Sequence, residues 1–359
     1  DYYYIEALMR WKKIEAKQAL SQENKFIHPG ILHTRESLER IRHYVDQKIN
    51  PAYQSYLLLQ ADPCASSDYQ LQGPFEVIAR LGVNSYTKRP SEDDHKAAYL
   101  NALMWTITGK EAHARKSIEI LNAYSAVLKL IGPNDNDDPL CASLQGSMLA
   151  NAAELIKYTY DKVEKKDIAS WEHMLRTVFI PVLDTFFKAK PYTNGNWGAA
   201  ATKAYMAFGI FLDDESLYNQ AVDFYYNGHD NGTIKNYISE SGQCQESGRD
   251  QDHVMFGLGN LSEVCETGYN QGDEKMYAAL DNRLLTGYEY TVKYNLGESV
   301  PFKVWTDISG RYCDWQVISE KERGAFRPIF EIVYNHYVTR KGLDMPYTCL
   351  LYTSPSPRD

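Results

Sequence analysis

The sequence predicts an all-α protein: an (α/α) toroid, complete or incomplete, with long loops forming a cleft at one end. Three observations carry this expectation. Apolar residues recur at helical spacing almost throughout the chain. The resulting helices, about ten or more of roughly 12–22 residues, are joined pairwise by mostly short connections. Strand signals are few, and no fixed-period motif marks a superhelix of repeats.

The elements follow in order. Residues 34–48 and 51–62 read as helices. Residues 91–109 open with Ser91 as N-cap and acids in the first turn, and Gly109 closes the helix. Helical spacing continues over 110–131, 141–161, 165–187, 197–213 and 215–227, with Pro181 expected to bend the 165–187 segment. It resumes over 252–270, 273–294 and 324–341, while Thr233–Ser239 is the one short strand candidate. Two connections are long and polar, Gly132–Leu140 and Asn227–Asp252, and long loops in a compact helical protein are usually functional or disordered.

The chain has 359 residues with 38 basic against 47 acidic side chains, a formal net charge of −9. That balance speaks against a nucleic-acid partner. Aromatics at 13% speak against disorder, and the lack of a long apolar run speaks against a membrane span. Tyrosine (28) outnumbers phenylalanine (12), so aromatic area comes with hydroxyl groups attached, which suits a polar cleft. Six dispersed cysteines form no CxxC pair, which excludes a zinc ribbon or thioredoxin motif, and the sequence leaves one or two bridges open. Residues 1–25 read as an N-terminal helical extension, 26–348 as the toroid, and 349–359 as a tail resembling translated sequencing-adaptor read-through. The chain starts at Asp1 with no signal-peptide pattern. A secreted or periplasmic bacterial protein, monomeric, is expected.

Candidate chemistry concentrates in a few phrases. Asn194-Gly-Asn196-Trp197-Gly198 precedes an alanine- and aromatic-rich helix; it reads as a turn with an N-cap, or as an amide and a stacking ring facing a sugar. Glu246, Arg249, Asp250, Asp252 and His253 crowd a loop-to-helix junction. Tyr290 and Tyr294, like Arg327 and Glu331, are spaced i,i+4, so a core stripe and a helical ion pair explain much of those stretches. Arg311-Tyr312 lies in a loop, where a polar aromatic is not simply core. With no HxxxH or HxH spacing, neither a metal nor another cofactor is expected.

At these residues the chain resembles the alginate-lyase-like polysaccharide lyases, and within them polysaccharide lyase family 38. His28-Pro-Gly-Ile-Leu-His33, Gly73-Pro74-Phe75, Asn196-Trp197-Gly198, Glu246–His253, Tyr290–Asn295 and Arg327–Tyr337 carry the likeness, over roughly 26–348. The resemblance implies an (α/α) toroid that cleaves 1,4-linked uronic-acid polymers, alginate or glucuronan, by β-elimination. Better-known alginate lyases carry an Asn-His dipeptide at the neutralising position. Here the stretch is Asn194-Gly-Asn196-Trp197, which leaves His253 as the candidate histidine.

β-Elimination needs a neutralised C6 carboxylate, a base for the C5 proton and an acid for the departing O4. Asn196 is the expected carboxylate binder, His253 the base or carboxylate partner, and Tyr312 the general acid. Arg249 and Arg311 compete for the charge-stabilising role. Trp197 and Tyr237 are expected sugar platforms, with Asn194, Tyr294, Arg327 and Glu246 as further substrate contacts. Two rival readings stay open at this level. One is a glycoside hydrolase using Glu246 with Asp250 or Asp252. The other is a non-catalytic glycan-binding helical protein.

Overall fold

The computed structural model describes residues 25–133 and 136–353. The expectation for residues 1–25 and that for the end of the tail, 354–359, fall on residues that, Lys25 apart, lie outside those described.

The chain folds as successive helical hairpins. After α1 (Arg35–Asp46) and α2 (Ala52–Ala61) come α3 (Lys88–Thr108), α4 (Glu111–Val127), α5 (Asp138–Thr159), α6 (Lys165–Met174) and α7 (Ile180–Lys188). The second half contains α8 (Gly195–Phe211), α9 (Glu215–Asn227), the single turn α10 (Ile234–Tyr237), α11 (Gln251–Asn270) and α12 (Lys275–Asn295). Two short helices, α13 (Phe330–Tyr334) and α14 (Pro346–Thr353), complete it. A parallel pair, β1 (Val77–Ile78) with β2 (Leu130–Ile131), ties together the loops before α3 and α5.

An inner ring runs α3, α5, α8 and α11, each packed on the next. Their partners α4, α6, α7, α9 and α12 lie outside. Burial explains the division. On α8 nearly every side chain is buried, including Ala199–Ala201, Tyr205, Phe208 and Phe211, as a helix enclosed on all sides requires. The outer α9 buries only Ala221 and Tyr225 fully. Close approach is possible because Gly209 faces the backbone of Tyr218, 2.7 Å from where a Cβ would sit.

Several local expectations are corrected. Helix α3 starts at Lys88, so Ser91 lies buried inside it rather than capping it, its hydroxyl donating to Lys88 O at 3.1 Å. Pro90 in the first turn costs nothing there, because that N–H has no helical partner. The strand candidate Thr233–Ser239 is mostly α10; Thr233 Oγ1 accepts from Asn236 N at 3.4 Å and Asn236 donates to Asp230 O at 2.9 Å, local bonds that favour a turn. Pro181 acts as expected: the wide turn Leu175–Phe179 absorbs its missing donor between α6 and α7. Helix α12 is interrupted at Ala279–Asn282, where Leu280, Asp281 and Asn282 are left-handed. The 324–341 helix begins only at Phe330, after Pro328, and continues as a wide turn over Asn335–Arg340. All six cysteines are free thiols, so no bridge staples the fold. Cys349–Thr353, assigned to the tail, form the end of α14.

At one end of the ring, residues 26–35 cross the carboxyl-terminal parts of the inner helices. Leu32 N donates to Asn151 Oδ1, Asn270 Nδ2 donates to Ile31 O, and His33 Nε2 meets Tyr99 Oη at 2.7 Å. His28 sits between Glu154 (2.8 Å) and Asp213 (3.0 Å), stacked on Tyr158. This strap closes that end and leaves the amino-terminal end of the ring to the long loops.

Candidate active site

The amino termini of α8 and α11 converge on the loop 238–250. Helix starts leave N–H groups without partners, and here the loop supplies acceptors. Gly195 N donates to Gln245 Oε1 at 2.9 Å and Asn196 N to Glu246 Oε2 at 3.1 Å. Asn194 therefore holds the cap position without capping; its Oδ1 accepts from Gln245 Nε2 at 3.1 Å. Asp250 caps α11, accepting from His253 N at 2.7 Å.

Glu246 has no exposed surface, and its carboxylate is filled from several sides. Asn196 Nδ2 donates at 2.8 and 3.0 Å, Arg249 Nη1 at 2.8 Å, and Tyr237 Oη at 3.2 Å. Burial raises the Glu246 pKa, a push that Arg249, His253 and Asn196 oppose. The chain of contacts continues outward: Arg249 Nη2 lies 3.0 Å from His253 Nε2, and His253 Nδ1 lies 2.8 and 2.9 Å from the two Asp250 oxygens. Since Asp250 only accepts, Nδ1 carries the proton and Nε2 is the acceptor facing Arg249. The His253 side chain is 34% exposed, so this nitrogen is within reach of a ligand.

A second wall comes from the loop after α12. Tyr312 N donates to Asp307 Oδ1 at 2.8 Å, while Tyr312 Oη and Arg311 Nη1 both donate to Tyr192 O, at 3.2 and 2.9 Å. The Tyr312 ring stacks on Trp315, which lies against Gly248, 2.3 Å from where a Cβ would sit. Ser319 N bonds Ser247 O, and Gln251 bonds Ser319 O and Lys321 O, so this loop lies along residues 247–251. Burial pushes the Tyr312 phenol above its ordinary 10, and Arg311 and Arg249 pull against that push, with Glu246 among its charged neighbours.

The structure thus brings together Asn196, Glu246, Arg249, His253, Arg311 and Tyr312, and it reassigns several expected roles. Asn196 is fully buried, and its side-chain amide and its backbone N–H both donate to Glu246, so it holds that carboxylate. Glu246 and Tyr237 are likewise fully buried, so Tyr237 stands as a buttress for Glu246 and offers no exposed ring as a sugar platform. Trp197 is half-buried against the core. Tyr294 is 4% exposed under the Arg323 guanidinium and lines a cavity of about 640 Å³ with Gly248 and Val317. Arg327 pairs with Asp252, at 2.5 and 2.7 Å, rather than with Glu331, because Pro328 ends its segment outside the helix.

The carboxylates proposed for hydrolysis, Glu246, Asp250 and Asp252, are all engaged by Arg249, His253 or Arg327. Sequence reading missed the Asp250–His253 dyad and two buried residues behind Tyr312, Asn231 and Asp307. Only the Asp307-x-Ser309 turn pattern signalled the latter. Among the described residues, no group of three or more His, Cys, Asp or Glu is placed to hold a metal, and no helix is long and apolar enough to cross a membrane.

The helical ring is similar in fold to solved alginate lyases. Alginate lyase A1-III from Sphingomonas species A1 superposes with a TM-score of 0.63 at 12% identity, covering 87% of this chain and 89% of that one. A variant of A1-III complexed with tetrasaccharide gives 0.64 at 13%, covering 89% and 94%. An alginate lyase from Bacteroides ovatus gives 0.60 at 13%, covering 92% and 97%. At such identities the likeness speaks for the fold. None of the curated proteins matches the chain. The alginate lyase family matches residues 87–302, and the chain belongs to that family. It is a polysaccharide lyase.

Proposed function

We propose that the enzyme cleaves 1,4-linked uronic-acid chains, polymannuronate, mixed alginate or glucuronan, by β-elimination at the junction of α8, α11 and the Tyr312 loop. Membership of polysaccharide lyase family 38 is part of the same proposal. The observation that carries it is the Asp250–His253–Arg249 relay, with the Tyr312 phenol near enough to feel the charges of Arg249, Glu246 and Arg311. An incoming C6 carboxylate takes the Arg249 N–H that now covers His253, neutralising the substrate charge and freeing Nε2. His253 Nε2, its other nitrogen anchored by Asp250, removes the C5 proton. The electron pair forms the C4–C5 double bond and breaks C4–O4, and Tyr312 donates its proton to O4. Arg311 stabilises the phenolate until solvent reprotonates it, and His253 releases the C5 proton to solvent. A phenol whose pKa is raised and whose hydrogen rests on a carbonyl oxygen is protonated at neutral pH, which suits the acid role. That the A1-III variant was complexed with tetrasaccharide supports an oligosaccharide-sized cleft here.

The test is the ultraviolet absorbance of an unsaturated uronate end, on alginate blocks and glucuronan side by side. His253→Ala and Tyr312→Phe are each expected to lose about 10²–10⁴-fold in rate with the fold retained. Near-normal rates in both variants overturn the assignment. Products without the absorbance overturn elimination.

A further inference from the structure

Asn231 and Asp307 lie behind Tyr312, 0% and 3% exposed. Their hydrogen bonds join three segments. Asn231 Nδ2 donates to Thr193 O at 2.9 Å and to Asp307 Oδ2 at 2.8 Å. Asn231 Oδ1 accepts from Ile308 N at 3.2 Å. Asp307 Oδ2 accepts from Ser309 N at 2.9 Å and from the Ser309 hydroxyl, and Oδ1 accepts from Tyr312 N at 2.8 Å. The turn holding Asn231 is itself seated on α8: a Cβ on Gly232 would lie 2.4 Å from Ala199 N and 2.5 Å from Gly195 O. The amide of Tyr312 is thus referenced, through two buried side chains, to the same helix start that carries Asn196.

We infer that the buried Asn231–Asp307 pair is the positioning unit of the reaction, setting where the Tyr312 hydroxyl stands relative to the Arg249–His253 wall. This rests on the reading of Tyr312 as the proton donor. Tyr312 and Arg311 occupy a loop that is not helical, and the bonds to Tyr192 O are made by side-chain tips. The backbone amide of Tyr312 is held by Asp307, so Asp307 fixes the base of the side chain whose tip reacts. A misplacement of about 1 Å at a reacting group costs on the order of 10²-fold. Burial works against charge on Asp307, but the bonds from Ser309, Tyr312 and Asn231 outweigh it, so the group is an anion at neutral pH. The charged groups acting on the phenol are Arg311, Arg249, Asp307 and Glu246, and Asp307 is one that raises its pKa.

The pair has a specific chemical polarity: an amide donor faces a carboxylate acceptor. Asp307→Asn turns one acceptor edge into a donor edge, which then opposes either Asn231 Nδ2 or Tyr312 N. The expected result is a fall of about 10–100-fold in kcat with KM for the oligomeric substrate little changed. The alkaline limb of the pH–rate profile should also move to lower pH, since the anion that raises the phenol's pKa is gone. A role in stability alone moves neither the limb nor the kcat-to-KM split. Ser309→Ala, which removes only one hydroxyl donor to Asp307, should give a smaller change in the same direction, and it provides the measurement if Asp307→Asn does not fold. In a Tyr312→Phe background, either substitution should cause no further loss in the residual rate, because the two act as a unit. Full kcat in Asp307→Asn and in Ser309→Ala overturns the inference. So does an equal loss with and without Tyr312. If Tyr312→Phe keeps its rate, it is the proton-donor reading that fails, whatever Asp307 does.

Discussion

Replacing His28 with alanine strands a carboxylate in the interior. The His28 and Glu154 side chains are 3% and 2% exposed, whereas Asp213, the other acid on the imidazole, is 45% exposed. Without His28, Asp213 turns to water at little cost. Glu154 retains one bond, from Gly30 N at 3.2 Å, and its Oε2 has no hydrogen-bond partner even with His28 present. Removing one member of a buried pair costs about 3–5 kcal/mol. Lys157 still faces Glu154, which places the loss at the lower end, about 3 kcal/mol. At roughly 2 °C per kcal/mol for a chain of this size, the melting temperature falls by about 6 °C. Urea unfolding at neutral pH measures the loss directly. His28→Ala/Glu154→Gln, which removes the stranded charge as well, should recover most of it. A loss below about 1 kcal/mol in the single variant, or a double variant no more stable than the single, would refute the reasoning. The pH dependence has a definite sign. Burial opposes charge on His28, but Glu154 and Asp213 outweigh it and hold its pKa above the ordinary 6.5. Its contribution is therefore complete below pH 6.5 and is lost as pH rises through the folded value. The advantage of wild type over the double variant should shrink in that window.

Further outcomes follow from other buried groups. Burial raises the Asp230 pKa to about 6 from 3.8, so this residue alone should cost the fold about 3 kcal/mol as pH rises from about 3 to about 7; in Asp230→Asn that slope should flatten, as followed by thermal melts across the range. Gly232→Ala forces a methyl between Ala199 N and Gly195 O, with an expected loss of about 1–3 kcal/mol and a larger drop in kcat than in stability would suggest, since the turn carries Asn231. Tyr237→Phe removes a hydroxyl from Glu246 and should lower stability by about 1 kcal/mol without changing sugar affinity, which separates a buttress from a platform. Arg327→Met should cost no more than about 1 kcal/mol, and less in high salt, because the pair with Asp252 is partly exposed.

The helices were legible because burial of one face writes a 3.6-residue period into local sequence, and the ring's helix-rich hairpins follow from that. The loop-to-helix crowd at Glu246–His253 was legible as a site for the same local reason: its members are neighbours in sequence. Their roles were not. Asn196 and Glu246 are 50 residues apart, and which of them faces solvent depends on how α8 docks against the loop before α11. Tyr237 and Tyr312 look alike in composition, yet one is walled in by α11 at Gly257 and the other stands in a loop stacked on Trp315.

By itself the sequence determined an all-α ring, a polar cleft rich in tyrosine and arginine, and a short list of reacting side chains. The tertiary structure alone decided which of them are exposed. It paired Arg327 with Asp252 across 75 residues, buried Glu246 under Asn196, Arg249 and Tyr237, and tied the Tyr312 loop to α8 through Asn231 and Asp307. The physical reason is range. Helical periodicity is set by neighbours a turn apart, whereas burial and charge pairing are set by contacts between segments that meet only once the helices have packed.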